Sequence, residues 1–193
     1  MVLDDLRAFS EKLVSDALFL IHSLVLEHGV FGYVLAFGVV MVVSIIGNAT
    51  IFLPAPVVLL VFGSGAFAAQ YNLGVGFAIL MGIAGGIGAA IGEMSSFFVG
   101  YLGQRGVRKF SDALNQKLLL KIESQIKKHG NWIVFLGALS PLPFDVFGLA
   151  AGVLRMDAKK FFAATLVGKI IRDVLIALAG YYGLELLKKI FVG

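Results

Sequence analysis

An all-α integral membrane fold is what this sequence predicts, and three observations predict it. The 193 residues are 59% hydrophobic and 15% charged, with a mean hydropathy of +0.95, whereas soluble domains are about half apolar and about a quarter charged. The apolar residues gather into stretches of membrane length. One pattern is also written twice. Pro54-Ala55-Pro56 is followed by Gly88-x4-Glu93-x6-Gly100-Tyr101-x-Gly103, and Pro141-Leu142-Pro143 by Gly168-x4-Asp173-x6-Gly180-Tyr181-x-Gly183. His28-Gly29 and His129-Gly130 precede the two copies. Glycine matches alone would be cheap in a chain with 24 glycines, but an acid and a Tyr at the same offsets are not. Internal duplication with broken apolar segments is the signature of a membrane transporter.

The elements follow in order. Residues 1–29 form an amphipathic N-terminal helix, with Leu3, Leu6, Phe9, Leu13, Ala17, Leu20 and Leu24 at helical spacing and Asp5, Glu11, Lys12, Asp16 and Glu27 elsewhere, a pattern suited to the interface. The single membrane domain occupies 30–187 and opens with an uncharged span, 30–47, able at about 1.5 Å per residue to cross most of a ~30 Å hydrocarbon core. Repeat one, 48–103, starts with an apolar segment that Pro54 and Pro56 should break into two short arms, because each removes a helical hydrogen bond and disfavours helix in the residue before it. Its second span, 74–103, carries Gly82-x3-Gly86 and Gly88-x3-Gly92, which permit close helix contact within one chain or between two, so a homo-oligomer is compatible with it.

Residues 104–130 form a basic interfacial helix, with Val107, Phe110, Leu114, Leu118, Ile122 and Ile126 on one face and Arg105, Arg108, Lys109, Lys117, Lys121, Lys127 and Lys128 around them. Repeat two, 131–187, begins with a segment broken by Pro141 and Pro143, followed at once by Arg155, Lys159 and Lys160. If 131–154 crossed the membrane, one basic cluster would lie outside against the positive-inside bias; a dip and return keeps both inside. Re-entry is the favoured expectation. Residues 161–187 make the last span, giving about three full spans, and 188–193 a tail. The uncharged Gln70-Tyr71-Asn72 connection then lies outside, so the repeats are inverted and their hairpins re-enter from opposite faces, with the irregular tips opposed near the midplane.

Composition excludes much else. With no cysteine, disulfides, thiolate metal sites and cysteine nucleophiles are impossible. The histidines at 22, 28 and 129 offer no spaced metal pair, so no metal and no cofactor are expected. The net charge of +4 sits on basic residues between apolar spans, where anionic headgroups rather than nucleic acid are the partner. Residues 1–29 hold five acids against two basic residues, the opposite of a signal-peptide n-region, so the N-terminus is expected to remain.

Several fragments together resemble a known family. They are Phe52-Leu53-Pro54-Ala55-Pro56 with Gly63-Ser64-Gly65, Gly100-Tyr101-Leu102-Gly103-Gln104-Arg105-Gly106, and Phe135-Leu136-Gly137-Ala138-Leu139-Ser140-Pro141-Leu142-Pro143-Phe144-Asp145. The last runs into Ala151-Gly152-Val153-Leu154-Arg155-Met156 and Gly168-Lys169-Ile170-Ile171-Arg172. Over about residues 30–185 the chain resembles the DedA/VTT-domain superfamily. The resemblance implies two facing re-entrant hairpins and movement of lipids between leaflets, tied in bacterial members to polyprenyl-phosphate recycling and proton-motive force, and in eukaryotic relatives to phospholipid scrambling. Where DedA members tend to carry acids around the first Pro-x-Pro, this chain has Gly47-Asn48 and Val57-Val58, and where they often carry an Arg before the second it has Ala138. These departures weaken proton coupling and specific phosphate capture and favour the broader VTT branch.

The candidate lipid-headgroup or proton site is the intramembrane charge inventory: Glu93, Asp145, Lys169, Arg172 and Asp173. An acid at the bilayer centre costs at least about 2.5 kcal/mol, so each needs a partner or a task. Glu93 is either a proton or headgroup site or one half of an ion pair. Asp145 either faces the arm N-termini across the cavity or caps the returning helix. Lys169 and Asp173 share a helix face at i, i+4, which suggests an ion pair. Arg172 is left over, and its five-donor fork suits a lipid phosphate unless it pairs with Glu93 or Asp145. Tyr101, Tyr181 and Tyr182 read as interfacial anchors.

The leading function is therefore a lipid translocase or scramblase with membrane lipids, phospholipid or polyprenyl phosphate, as partners. A proton- or ion-coupled small-solute transporter is the alternative. Enzymatic activity is not expected, since Ser140 has no evident base and the histidines lie at interfaces. The expected location is a membrane, the plasma membrane if the source is prokaryotic, as a multi-pass integral protein.

Overall fold

The computed structural model describes residues 2–50, 57–103, 116–140 and 142–191, and among them there are helices but no strand. In chain order these are α1 (Val2–Ala49), α2 (Val57–Gln70), α3 (Val75–Gly92), α4 (Met94–Leu102), α5 (Gln116–His129), α6 (Asn131–Leu139), α7 (Asp145–Val153) and α8 (Ala158–Phe191). A helix satisfies its own backbone, which lipid cannot do for it. Two stretches are apolar and long enough to cross a membrane: Glu11–Ala49 in α1, and Val75–Leu102, which α3 and α4 make together. α8 has the length, at 34 residues, but carries Lys169, Arg172 and Asp173 in its middle. α6 and α7 have nine residues each, and at about 13 Å of rise neither reaches half-way through a ~30 Å core.

Two backbone features occur in both halves of the chain. Gly29 sits at φ 54°, ψ −130° inside α1, and Gly130, between α5 and α6, at φ 59°, ψ −134°. Only glycine takes that conformation without strain. At the first of these the chain doubles back so sharply that a Cβ on Gly32 would strike the Leu24 carbonyl. The turns after α2 and α7 also match. Asn72 and Arg155 adopt left-handed φ values of 54° and 52°, and the next amide in each case bonds five residues back, Leu73 to Ala68 at 2.9 Å and Met156 to Ala151 at 3.0 Å. This is a Schellman closure of both helices. Asp157 then starts α8, its carboxylate accepting from the Lys160 amide at 2.9 Å.

Corresponding residues make corresponding contacts. α3 and α8 cross antiparallel, Gly82 against Val174 and Gly86 against Ile170. Gly88 packs on Met41 and Ser44 of α1, as Gly168 packs on Phe135 and Ala138 of α6. Gly100 rests on Leu149 of α7, and Gly180 on Phe62 of α2. Each returning helix thus lies on the long helix of the other half, at a glycine where a Cβ would meet backbone. The glycine-rich face of 74–103 is used within the chain.

Two of the expected elements take a different form. The N-terminal helix packs on the rest of the chain: Val14, Ala17, Ile21 and Val25 are buried in the core, Leu18 packs on Gly63, and His22 hydrogen-bonds the Tyr71 hydroxyl at 2.8 Å. Of its apolar stripe, Ala17 is buried while Phe9 is 59% and Leu20 44% exposed. From Ala17 to Leu26 the helix is apolar nearly all round, so spacing alone could not select the side that meets protein. Residues 48 and 49 do not begin a separate short arm. α1 continues through Ala49, and the 14-residue α2 follows from Val57. Pro54, Pro56 and Pro141 lie outside the described residues, as do residues 104–115 of the basic segment. The described part of that segment is amphipathic as expected, with Leu119, Ile122 and Ile126 buried and Lys121, Lys127 and Lys128 exposed.

Candidate functional site

The expected charges converge where α3 passes into α4. Glu93 occupies that junction, its amide still bonded to the Ala89 carbonyl at 2.9 Å and its own carbonyl accepting from the Ser96 hydroxyl at 2.8 Å. Gly92 lets the end of α1 approach until Asn48 and Ala49 lie against it, and the Ser95 hydroxyl ties to the Ala49 carbonyl at 2.9 Å. The entrance to the first proline loop is therefore fixed beside Glu93.

From the other half, Lys169 of α8 donates to Glu93 Oε1 at 2.7 Å, with side-chain accessibilities of 2% and 5%. One turn on, Arg172 Nε donates to Asp173 Oδ1 at 2.8 Å. Asp173 is 2% accessible, whereas Arg172 keeps 19%. The Lys169 ammonium also stands 4.7 Å from the ring centre of Phe144, the residue after Pro143, a cation–π distance. Asp145 opens α7 and acts electrostatically on Glu93, as does Arg172. All five charged candidates thus belong to one cluster, flanked by the approach to each hairpin loop.

The pairing differs from the expectation. Lys169 reaches across to Glu93 rather than along its helix to Asp173, and Arg172 is not left over but takes Asp173 beside it. Lys169 belongs to the face of α8 that meets α3, so its long side chain finds the acid there. Asp145 is the first helical residue of α7, after Phe144. Pro143 is exposed in the short connection between α6 and α7. Ser140 serves that connection: its hydroxyl donates to the Gly137 carbonyl at 2.8 Å and accepts from the Leu142 amide at 3.3 Å.

Two further buried oxygens, those of Ser44 and Thr165, were not anticipated. Buried Ser44 Oγ, Thr165 Oγ1, Glu93 Oε2 and Asp173 Oδ2 have no hydrogen-bond partner among the described residues. Thr165 stands one turn before Lys169 on the same face of α8 and could have been found by that spacing. Nothing local marked Ser44. Tyr101, expected as an anchor, has the Arg155 guanidinium 5.5 Å from its ring centre. Unsatisfied buried oxygens cost about 1–3 kcal/mol each. No cluster of His, Cys, Asp and Glu suited to a metal occurs among the described residues.

Two stretches of membrane length beside a buried charge cluster fit a membrane protein. The VTT domain matches residues 53–182, and the chain belongs to that family. An uncharacterized membrane protein of Bacillus subtilis, YbfM, is 28% identical over 144 residues, 72% of this chain and 82% of that protein. Uncharacterized proteins of Haemophilus influenzae and Histophilus somni are 31% and 32% identical. Those two alignments cover 58% and 35% of this chain and only 56% and 36% of the relatives' own lengths. No solved structure matches.

Proposed function

We propose that this protein moves lipids between the leaflets of a cell membrane, carrying the phosphate-bearing headgroup of a phospholipid or polyprenyl phosphate through a polar groove between two re-entrant hairpin tips while the tails remain in the bilayer. The observation that carries the reading is the buried cluster of Glu93, Lys169, Arg172 and Asp173 at the join of the two halves. A bundle that only filled space would gain more from apolar side chains there, because each intramembrane charge is costly to insert. Arg172 is the member a headgroup can reach, and its guanidinium suits phosphate. The antiparallel crossing of α3 and α8 and the reciprocal packing of α2 and α7 support an inverted repeat. The brevity of α6 and α7, and a groove lined by both Asn131 and Lys159, the starts of α6 and α8, support re-entry of the second hairpin.

Reconstitution into vesicles with a fluorescent phospholipid, and separately with a polyprenyl phosphate, tests the reading through chemical quenching of the outer leaflet. Quenching should pass beyond the outer-leaflet half for at least one lipid. No exchange above protein-free vesicles with either would reject it.

A second reading rests on a different observation. Glu93 Oε2 and Asp173 Oδ2 are buried without hydrogen-bond partners among the described residues, and three carboxylates face two cations in the cluster. That imbalance favours uptake of a proton or cation and hence coupled transport. Flux that stays the same across pH in Glu93→Gln and Asp173→Asn would remove this reading.

A further inference from the structure

A second feature lies apart from the buried cluster. Near one end of the molecule α6 and α8 diverge around an open groove of about 580 Å³. Its walls are apolar: Trp132 and Phe135 from α6, Ala163 and Val167 from α8. Lys159 and Lys160, at the start of α8, and Asn131, at the start of α6, line it as well. The order along α8 is that of a lipid, with charge first and then about 11 Å of apolar surface down to Val167. Trp132 is 71% and Val167 50% exposed, so the groove opens outward, where bilayer lipid surrounds the protein. Its rim holds the residue types that mark a headgroup level, a Trp and two snorkelling lysines.

The chemistry of the lysine end selects among lipids. Both lysines are exposed and neither has an ion-pair partner among the described residues. The nearby acid, Asp157, is already engaged in capping α8 through the Lys160 amide, so the helix terminus is occupied and the ammonium groups are what that end offers. Two cations above an apolar trough complement an anionic headgroup with a tail attached. We propose that this groove holds one anionic phospholipid, its phosphate between Lys159 and Lys160 and an acyl chain along Phe135, Ala163 and Val167. The bound lipid fills the gap between the first arm of the second hairpin and α8. It is a resident of the protein's flank, and its binding stands whether or not lipid is moved through the interior.

The test is lipid retention by the full chain in neutral detergent, read by native mass spectrometry on addition of phosphatidylglycerol, phosphatidylcholine or soluble glycerol 3-phosphate. One phosphatidylglycerol should be held preferentially. Lys159→Gln with Lys160→Gln should weaken it by about fivefold per lysine, down to the phosphatidylcholine level, while Lys127→Gln with Lys128→Gln, a neighbouring exposed basic pair, leaves it within about twofold. Ala163→Trp, which fills the trough and keeps both lysines, should lower retention of phosphatidylglycerol too. Equal retention of the two phospholipids, or an equal loss in the Lys127/Lys128 variant, overturns the site. Glycerol 3-phosphate displacing the lipid at similar concentration would show a free-anion site instead. A dimer that forms without lipid and protects Trp132 from quenching would give the groove to a second copy of the chain and equally overturn the proposal.

Discussion

Lys169 and Glu93 hold each other across 76 residues of sequence at 2.7 Å. The pair joins α8 to the α3–α4 junction at the level where the end of α1 and the start of α7 also arrive. Glycines let the helices come close enough for one lysine to span the gap. The same contact serves architecture and site, so a useful experiment has to separate the two.

Removing either partner leaves the other charge buried, which costs about 3–5 kcal/mol. Glu93→Leu and Lys169→Met should each lower thermal stability sharply in detergent, and the double variant should recover most of the loss, because an apolar pair of similar volume can replace a buried ion pair. The double variant should nonetheless lack lipid exchange. A double variant less stable than both singles would mean that the pair is not an isolated structural unit.

The glycines separate into two kinds. A Cβ on Gly65 would meet the Ala177 carbonyl, and one on Gly148 the Ser96 hydroxyl, whereas Gly38 and Gly183 have nothing within 4 Å. Gly65→Ala and Gly148→Ala should therefore destabilise by about 1–3 kcal/mol, while Gly38→Ala and Gly183→Ala should be neutral or stabilising by up to about 1 kcal/mol. Melting temperatures in one detergent suffice, and equal losses at all four positions would contradict the packing described.

Much of this was legible in the chain because repetition is a local property of sequence. The glycine, acid and Tyr offsets announced two copies, and His28-Gly29 with His129-Gly130 marked two positions that share one glycine-only backbone conformation. The charge inventory likewise named the five members of the cluster. Partner choice was not legible. The i, i+4 spacing of Lys169 and Asp173 is a helix-surface rule, and it gave way to a buried contact whose partner lies in the other half. The face that residues 17–26 turn to protein was hidden for a related reason: a stretch apolar nearly all round has no moment to read.

Topology can be read with single cysteines, since the chain has none of its own. Lys128→Cys, on exposed α5, and Lys159→Cys, after α7, should label from the same side of oriented vesicles, and Asn72→Cys from the opposite side. That outcome follows if 131–154 enters and leaves by one face. Labelling of Lys159→Cys with Asn72→Cys would make the segment a span and undo the inverted arrangement.

Arg172 gives the most direct test of headgroup passage. It alone in the pairs combines a charge with appreciable accessibility, 19% against 2% for its partner Asp173. Arg172→Gln would both remove the cation and orphan Asp173, so a loss of transport in it would be ambiguous. Arg172→Lys keeps a positive charge for Asp173 but has no planar fork for phosphate. Stability should therefore stay within about 1 kcal/mol of the parent, while exchange of phosphate-bearing lipid falls about tenfold, the value of one charge-assisted hydrogen bond. Unchanged exchange in Arg172→Lys would mean that the guanidinium meets no headgroup and serves only Asp173. Exchange and stability falling by equal amounts would likewise assign the guanidinium to Asp173 alone.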